Sequence, residues 1–170
     1  FMGSDVIAIA IDSLHDLQTA FVFRTNAAGA KADAQISAVA GGGGFNNDWD
    51  GVWDIRSTRN AEGWTAEFVI PFKTLRFSTD QTQVWGLNVN RRILRLNEED
   101  DWSPTPIRYN LSRVSQYGTL LGLENLRPGR NLKVTPFVTA GFTQLRPGGD
   151  PFGSFENDSD FDGGVDVKYG

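Results

Sequence analysis

The chain has 170 residues, 39% hydrophobic and 22% charged, a balance that sustains one sizeable folded core and excludes a disordered tail. Its formal net charge is −5 and its sixteen basic residues are scattered rather than striped, which argues against a nucleic-acid partner. Cysteine is absent, which excludes disulfides and thiolate metal sites and leaves the compartment open. No apolar run reaches the ~18 residues of a membrane-crossing helix, a test that does not register a β-barrel.

Nineteen glycines and 12% aromatic residues suit short strands joined by tight turns. Phe1-Met2-Gly3-Ser4 leads at once into a strand, which points to a chain cut from something larger. Val6–Ile11 and Ala20–Phe23 are apolar on both faces, as strands of a doubly covered sheet are. Asn26-Ala27-Ala28-Gly29 is a turn and Ala40–Gly44 a glycine loop, lacking the Lys-Ser/Thr of a phosphate-binding loop. Trp53 and Ile55 oppose Asp54 and Arg56, and Trp64, Ala66, Phe68 and Ile70 oppose Thr65, Glu67 and Val69. Period two on both sides of Asn60–Gly63 predicts a hairpin. Pro71 ends its second strand, having no N–H for the ladder, and Leu75 and Phe77 fold back under the sheet.

In 85–93, alternation predicts Trp85, Leu87, Val89 and Ile93 inward and Asn88, Asn90 and Arg92 outward, where they present hydrogen-bonding groups. Asn97–Pro104 reads as an acidic loop carrying Trp102. From Arg127 the texture changes. Leu132, Val134, Val138, Ala140 and Phe142 alternate with polar residues, interrupted by Phe137, and Phe161, Gly163, Val165, Val167 and Tyr169 alternate with Asp162, Gly164, Asp166 and Lys168. Two alternating strands of ~10 residues fit the first hairpin of an outer-membrane barrel, and equally two half-exposed strands of a soluble sheet.

Little of this points to catalysis. His15 has no Ser, Cys or second His arranged around it, so neither a triad nor a zinc site has a basis. Glu67, Glu98, Glu99, Asp100 and Asp101 could in name form a glycosidase pair, but nothing in the sequence makes two of them converge. Glu156–Asp162 could offer oxygen ligands to calcium, without the spacing of an EF-hand, so a solvated loop is the default. Sugar sites combine an aromatic platform with dense polar groups. Trp49 and Trp102 are the loop-borne platforms, beside Asn46, Asn47 and Asp48 and beside Asn97 and Glu98. Trp53, Trp64 and Trp85 fall on apolar faces and belong to the core.

Together, SDVIAIAIDSLHDLQTAFVFRTNAAGAKAD, WDGVWDIRS, GWTAEFVIPFKTLRF, VWGLNVNRRILRLNEEDDW and YGTLLGLENLRPGRNLKVTPFV resemble the family 9 carbohydrate-binding-module-like domain. The version they resemble precedes a predicted β-barrel in bacterial outer-membrane proteins of unassigned function. The resemblance implies an all-β, jelly-roll or immunoglobulin-like antiparallel β-sandwich over residues 1–125, incomplete at its start. It implies that residues 126–170 are a linker and the first strands of an outer-membrane β-barrel. It further implies an oligo- or polysaccharide partner of xylan or glucan type, calcium as the one candidate cofactor, and the cell envelope of a Gram-negative bacterium. The candidate sugar-binding residues are Trp49, Trp102, Asn90, Arg92, Asn97 and Glu98, with no catalytic residue. The alternatives are a structural plug or assembly domain of a barrel, or part of a glycoside hydrolase.

Overall fold

The computed structural model describes residues 3–37, 44–129, 132–145 and 156–169. The glycine loop of 40–43 lies outside them. The chain forms two compact units, Phe1–Gly129 and Arg130–Gly170. Both are all-β and antiparallel, with no α-helix among the described residues.

In the first unit, β1 (Val6–Asp12) pairs with β2 (Thr19–Asn26), as their apolar runs predict. The turn between them is organised by carboxylates. Buried Asp12 accepts the backbone N–H groups of Asp16 and Leu17, and Asp16 accepts those of Gln18 and Thr19. These bonds hold His15 and Leu17 in left-handed conformations. Next come β3 (Lys31–Ser37) and β4 (Gly44–Asn46), β5 (Asp54–Arg59) and β6 (Trp64–Val69), then β7 (Thr82–Ile93), β8 (Glu98–Asp101) and β9 (Gly118–Glu124). Seven of these form one sheet in the order β4-β3-β2-β1-β7-β8, with β9 pairing the first half of β7; β5 and β6 form the predicted hairpin as a separate sheet.

One face of the large sheet packs on that hairpin, giving a sandwich-like core. Ile11, Phe21, Phe23 and Trp85 from the sheet meet Trp53, Ile55, Phe68 and Ile70. The Trp53 and Phe68 rings stack at 5.8 Å. Pro71 ends β6 and starts a 3₁₀ turn, Phe72–Thr74, after which Leu75 and Phe77 turn into this core, as expected. Phe77 and Phe72 both meet the Trp85 ring.

The opposite face departs from expectation. Asn88 and Asn90, predicted to face outward, are buried at 0% and 7% exposure. The reason is that β7 is central, with β1 on one side and β8 and β9 on the other, and the segment 103–117 covers this face. Asn88 Oδ1 accepts the N–H of Ser103, Ser103 donates to the Gln116 carbonyl, and Tyr117 donates to that of Leu111. Leu111 and Val114 thereby sit on Ala8, Ala10, Ala20, Val22 and Ile36. Burial pushes the Tyr117 phenol upward, reinforced by Asp12 and Asp101. The acidic stretch expected as a loop is instead strand β8, with Glu99 opposite Arg92 and Asp100 opposite Arg91. Opposite charges across a ladder stabilise such an edge.

The second unit is one hairpin of two 14-residue strands, β10 (Leu132–Leu145) and β11 (Glu156–Tyr169). The acidic residues from Glu156, predicted as loop, therefore belong to the ladder, Asp158 opposite Thr143 and Asp160 opposite Gly141. Its register sorts the side chains. One face carries the pairs Val134/Val167, Pro136/Val165, Val138/Gly163 and Ala140/Phe161, and the other Thr135/Asp166, Thr139/Asp162 and Thr143/Asp158. Strand alternation puts Phe137 on the acidic face, and cross-strand Gly164 makes room for its ring, since a Cβ there would come within 2.6 Å of it.

Asn88→Ala removes the acceptor that holds the covering segment to the sheet and strands buried donors. The expected outcome is a loss of about 1–3 kcal/mol in urea denaturation, with faster amide exchange at Ser103.

Candidate functional site

The paired strands put small and large residues in a definite pattern on the covered face. Ala8 lies between Arg24 and Asn90 in register, Ala32 flanks Arg24 on its other side, and Val6 lies between Asn26 and Arg92. Alanines beside long polar side chains leave a floor that the covering segment only partly fills. Leu111, Val114 and Tyr117 occupy one end. At the other end a recess of about 270 Å³ remains open, lined by Val6, Ala8, Arg24, Phe45, Asn90, Arg92, Glu99, Asn110 and Leu111.

The two long walls of this recess differ in chemistry. On the β7–β8 side, Asn90 donates to Glu99 Oε1 and Asp101 Oδ1, both at 2.9 Å, which fixes its carboxamide and holds the two acids on one strand edge. Arg92 lies opposite Glu99 in the ladder. On the β2–β4 side, the Arg24 guanidinium lies 4.5 Å from the centre of the Phe45 ring. Burial pulls Arg24 below the ordinary arginine range, an effect of taking the cation out of water. Asn110 closes the top, its Oδ1 accepting from the Ser112 backbone and hydroxyl.

Of the six sequence candidates, Asn90 and Arg92 reach this recess and the other four do not. Trp49 is not a solvent-facing platform: its ring packs on Phe21 at 4.9 Å and on Phe23 at 5.8 Å, within the opposite core. Asp33 causes this by accepting both Gly51 N–H and Trp53 Nε1, which draws the loop onto the sheet. Gly51 completes the fit, because a Cβ there would come within 2.5 Å of the Trp49 ring. Trp102 is 62% exposed but lies over Gly118 on the far side of β7, since Val89 and not Asn90 accepts its N–H. Asn97 adopts the left-handed conformation that ends the 3₁₀ turn Leu94–Leu96, and Glu98 opens β8 opposite Ile93. Both serve the turn.

Arg24, Phe45, Glu99 and Asn110 were missed by sequence reasoning. Arg24 carried one legible signal, an arginine inside an otherwise buried apolar strand; Phe45 and Glu99 come in through sheet register, and Asn110 through the covering segment. The other face holds a second, wider recess of about 650 Å³, lined by Trp64, Arg91, Arg95, Asn60 and Asp5 among others. Trp64, assigned to the core from its alternation, is half-buried at that edge. Of the carboxylates considered for hydrolysis, Glu98 to Asp101 lie together on β8, with Glu99 and Asp101 both accepting from Asn90, while exposed Glu67 lies apart on the β5–β6 hairpin, opposite Arg56.

The acidic residues of β11 do not fit calcium. Asp158, Asp160 and Asp162 stand two residues apart on an extended strand, so successive Cα atoms are about 6.7 Å apart and their carboxylates are not gathered at ~2.4 Å from one ion. Among the described residues no three His, Asp or Glu side chains form a metal-sized group.

No protein-family model, curated protein or solved structure matches the chain.

The two tryptophans respond differently to truncation. Trp49→Ala is expected to cost roughly 2–4 kcal/mol in chemical denaturation because it opens the aromatic core. Trp102→Ala is expected to change stability by less than about 1 kcal/mol.

Proposed function

We propose that the Phe1–Gly129 unit is a non-catalytic glycan-binding module of the family 9 carbohydrate-binding-module-like kind, with a jelly-roll type of sandwich. Its ligand is a xylan- or glucan-type oligosaccharide. The observation that carries this reading is the convergence of Asn90, Arg92 and Glu99 on one wall, Arg24 and Phe45 on the other, and Asn110 above, on one open recess. Sugars display both apolar C–H faces and dense hydroxyls, so an aromatic beside fixed donors and acceptors suits them. The recess is just below the ~300 Å³ at which drug-sized pockets begin, a size for about one sugar unit.

The test is titration calorimetry on the full-length protein with a panel of xylan- and glucan-type oligosaccharides. Binding that weakens about tenfold or more in Asn90→Ala supports the reading, since that change removes a preorganised hydrogen-bonding group. Absence of heat across the panel overturns it.

We propose also that the Arg130–Gly170 unit begins an outer-membrane β-barrel, which would put the module at the cell envelope of a Gram-negative bacterium. Support comes from the hairpin register, which gathers Val134, Val138, Phe161, Val165 and Val167 on one exposed face and Asp158, Asp162 and Asp166 on the other. Lipid-facing and lumen-facing residues of such barrels alternate in this way. Val138→Arg is expected to sharply reduce assembly into the outer membrane, at a cost of about 2–4 kcal/mol in mid-bilayer, while Thr139→Arg is tolerated. Heat-modifiable gel mobility of membrane fractions reads the difference. A barrel in the second unit leaves a second reading of the first, an assembly or plug domain of that barrel without a sugar site; deletion of the first unit that stops assembly while leaving glycan binding intact would select it.

A further inference from the structure

The recess is not electrically uniform. On the β7–β8 wall, the positive charge of Arg92 has Glu99 opposite it in the ladder, and Asp101 is held alongside through Asn90. Across the alanine floor, Arg24 has no hydrogen bond or ion pair to any described residue; its contact is the face of Phe45. Its ladder neighbours on the same face are Ala8 and Ala32, which supply no acceptor. A half-buried cation bounded by alanines and an aromatic ring keeps its guanidinium edge for a partner that the described residues do not provide.

We propose that the ligand carries a carboxylate, and that Arg24 binds this group while the β7–β8 wall binds neutral hydroxyls. The inference rests on the glycan-binding reading and narrows it to an acidic sugar of the uronic class. The planar guanidinium fork matches a carboxylate bidentately, and its seat over the Phe45 ring restricts where the group can swing. Arg24 and Asn90 stand two strands apart across Ala8, roughly 9–10 Å between backbones. That span separates the charged end of the ligand from its hydroxyls. Glu99 and Asp101 on the far wall set the orientation, because a carboxylate placed there would meet like charge.

The experiment is calorimetry on the full-length protein with a glucuronic-acid-bearing xylo-oligosaccharide, the same backbone without the acid, and a sulfate-bearing oligosaccharide of equal length. The acid-bearing ligand is expected to bind about tenfold more tightly than the neutral one, a preference that weakens as salt is raised. Arg24→Gln should abolish that preference and Arg24→Lys restore part of it, while Arg127→Gln, an exposed arginine away from the recess, should retain it. Thermal melts of each variant establish that the fold persists. Equal affinity for acidic and neutral ligands overturns the carboxylate assignment and leaves glycan binding standing. Tighter binding of the sulfated ligand than of the carboxylated one also overturns it. Absence of binding to all three removes the site reading itself.

Discussion

The buried carboxamide of Asn88 ties the covering segment to the middle of the sheet, and the recess depends on that tie. Its Oδ1 accepts the Ser103 N–H from within a fully buried position, so the chain leaving β8 is drawn back across the sheet instead of out into solvent. Leu111 and Val114 then have alanines and Val22 to pack against, and Tyr117 pins its own loop through the Leu111 carbonyl. A polar group with no access to water loses heavily if its partner is removed, which makes this contact directional and hard to replace by apolar packing.

The two faces of the sheet divide the work. Against the β5–β6 hairpin, large aromatic rings from Phe21, Phe23, Trp49, Trp53, Phe68, Phe77 and Trp85 make a dense core. Their area dominates burial and suits rigid packing. Beneath the covering segment the same strands present Ala8, Ala10, Ala20 and Ala34, and small side chains there create room. Strand alternation lets one sequence do both, since successive residues point to opposite faces. Arg24 follows from this arrangement: it sits between apolar Phe23 and buried Thr25 in sequence, yet its face is the open one.

Much of the architecture was legible. The doubly apolar runs of β1 and β2, the period-two patterns of β5 and β6, the proline stop after Ile70 and the amphipathic β10 each reported a local geometry that the backbone imposes on side chains. The misreadings share one cause. Asn88 and Asn90 look like an exposed face, Glu98–Asp101 like a loop, and Glu156–Asp160 like a solvated segment, because polarity alone carries no sign of a pairing partner. In each case the polar groups met partners from elsewhere in the chain: Ser103 for Asn88, Arg91 and Arg92 for β8, and β10 for β11. Trp49 failed in the opposite sense. Its polar neighbours suggested a loop platform, whereas the Asp33 bonds to Gly51 and Trp53 turned the ring inward.

The sequence by itself determined that the chain is all-β, where several of its strands and turns fall, that Trp53, Phe68, Leu75, Phe77 and Trp85 turn into the core, and that Asn90 and Arg92 share one face of a strand. Those properties follow from near-neighbour periodicity and from what glycine and proline allow. The tertiary structure alone decided that this polar face is covered, that Arg24 and Phe45 from one half of the sheet stand across from Asn90 and Glu99 of the other, and that Trp49 and Trp102 stand outside the recess. Strand order and register assign those neighbours, and they depend on pairings such as β1 with β7, residues some eighty positions apart, that no local pattern encodes.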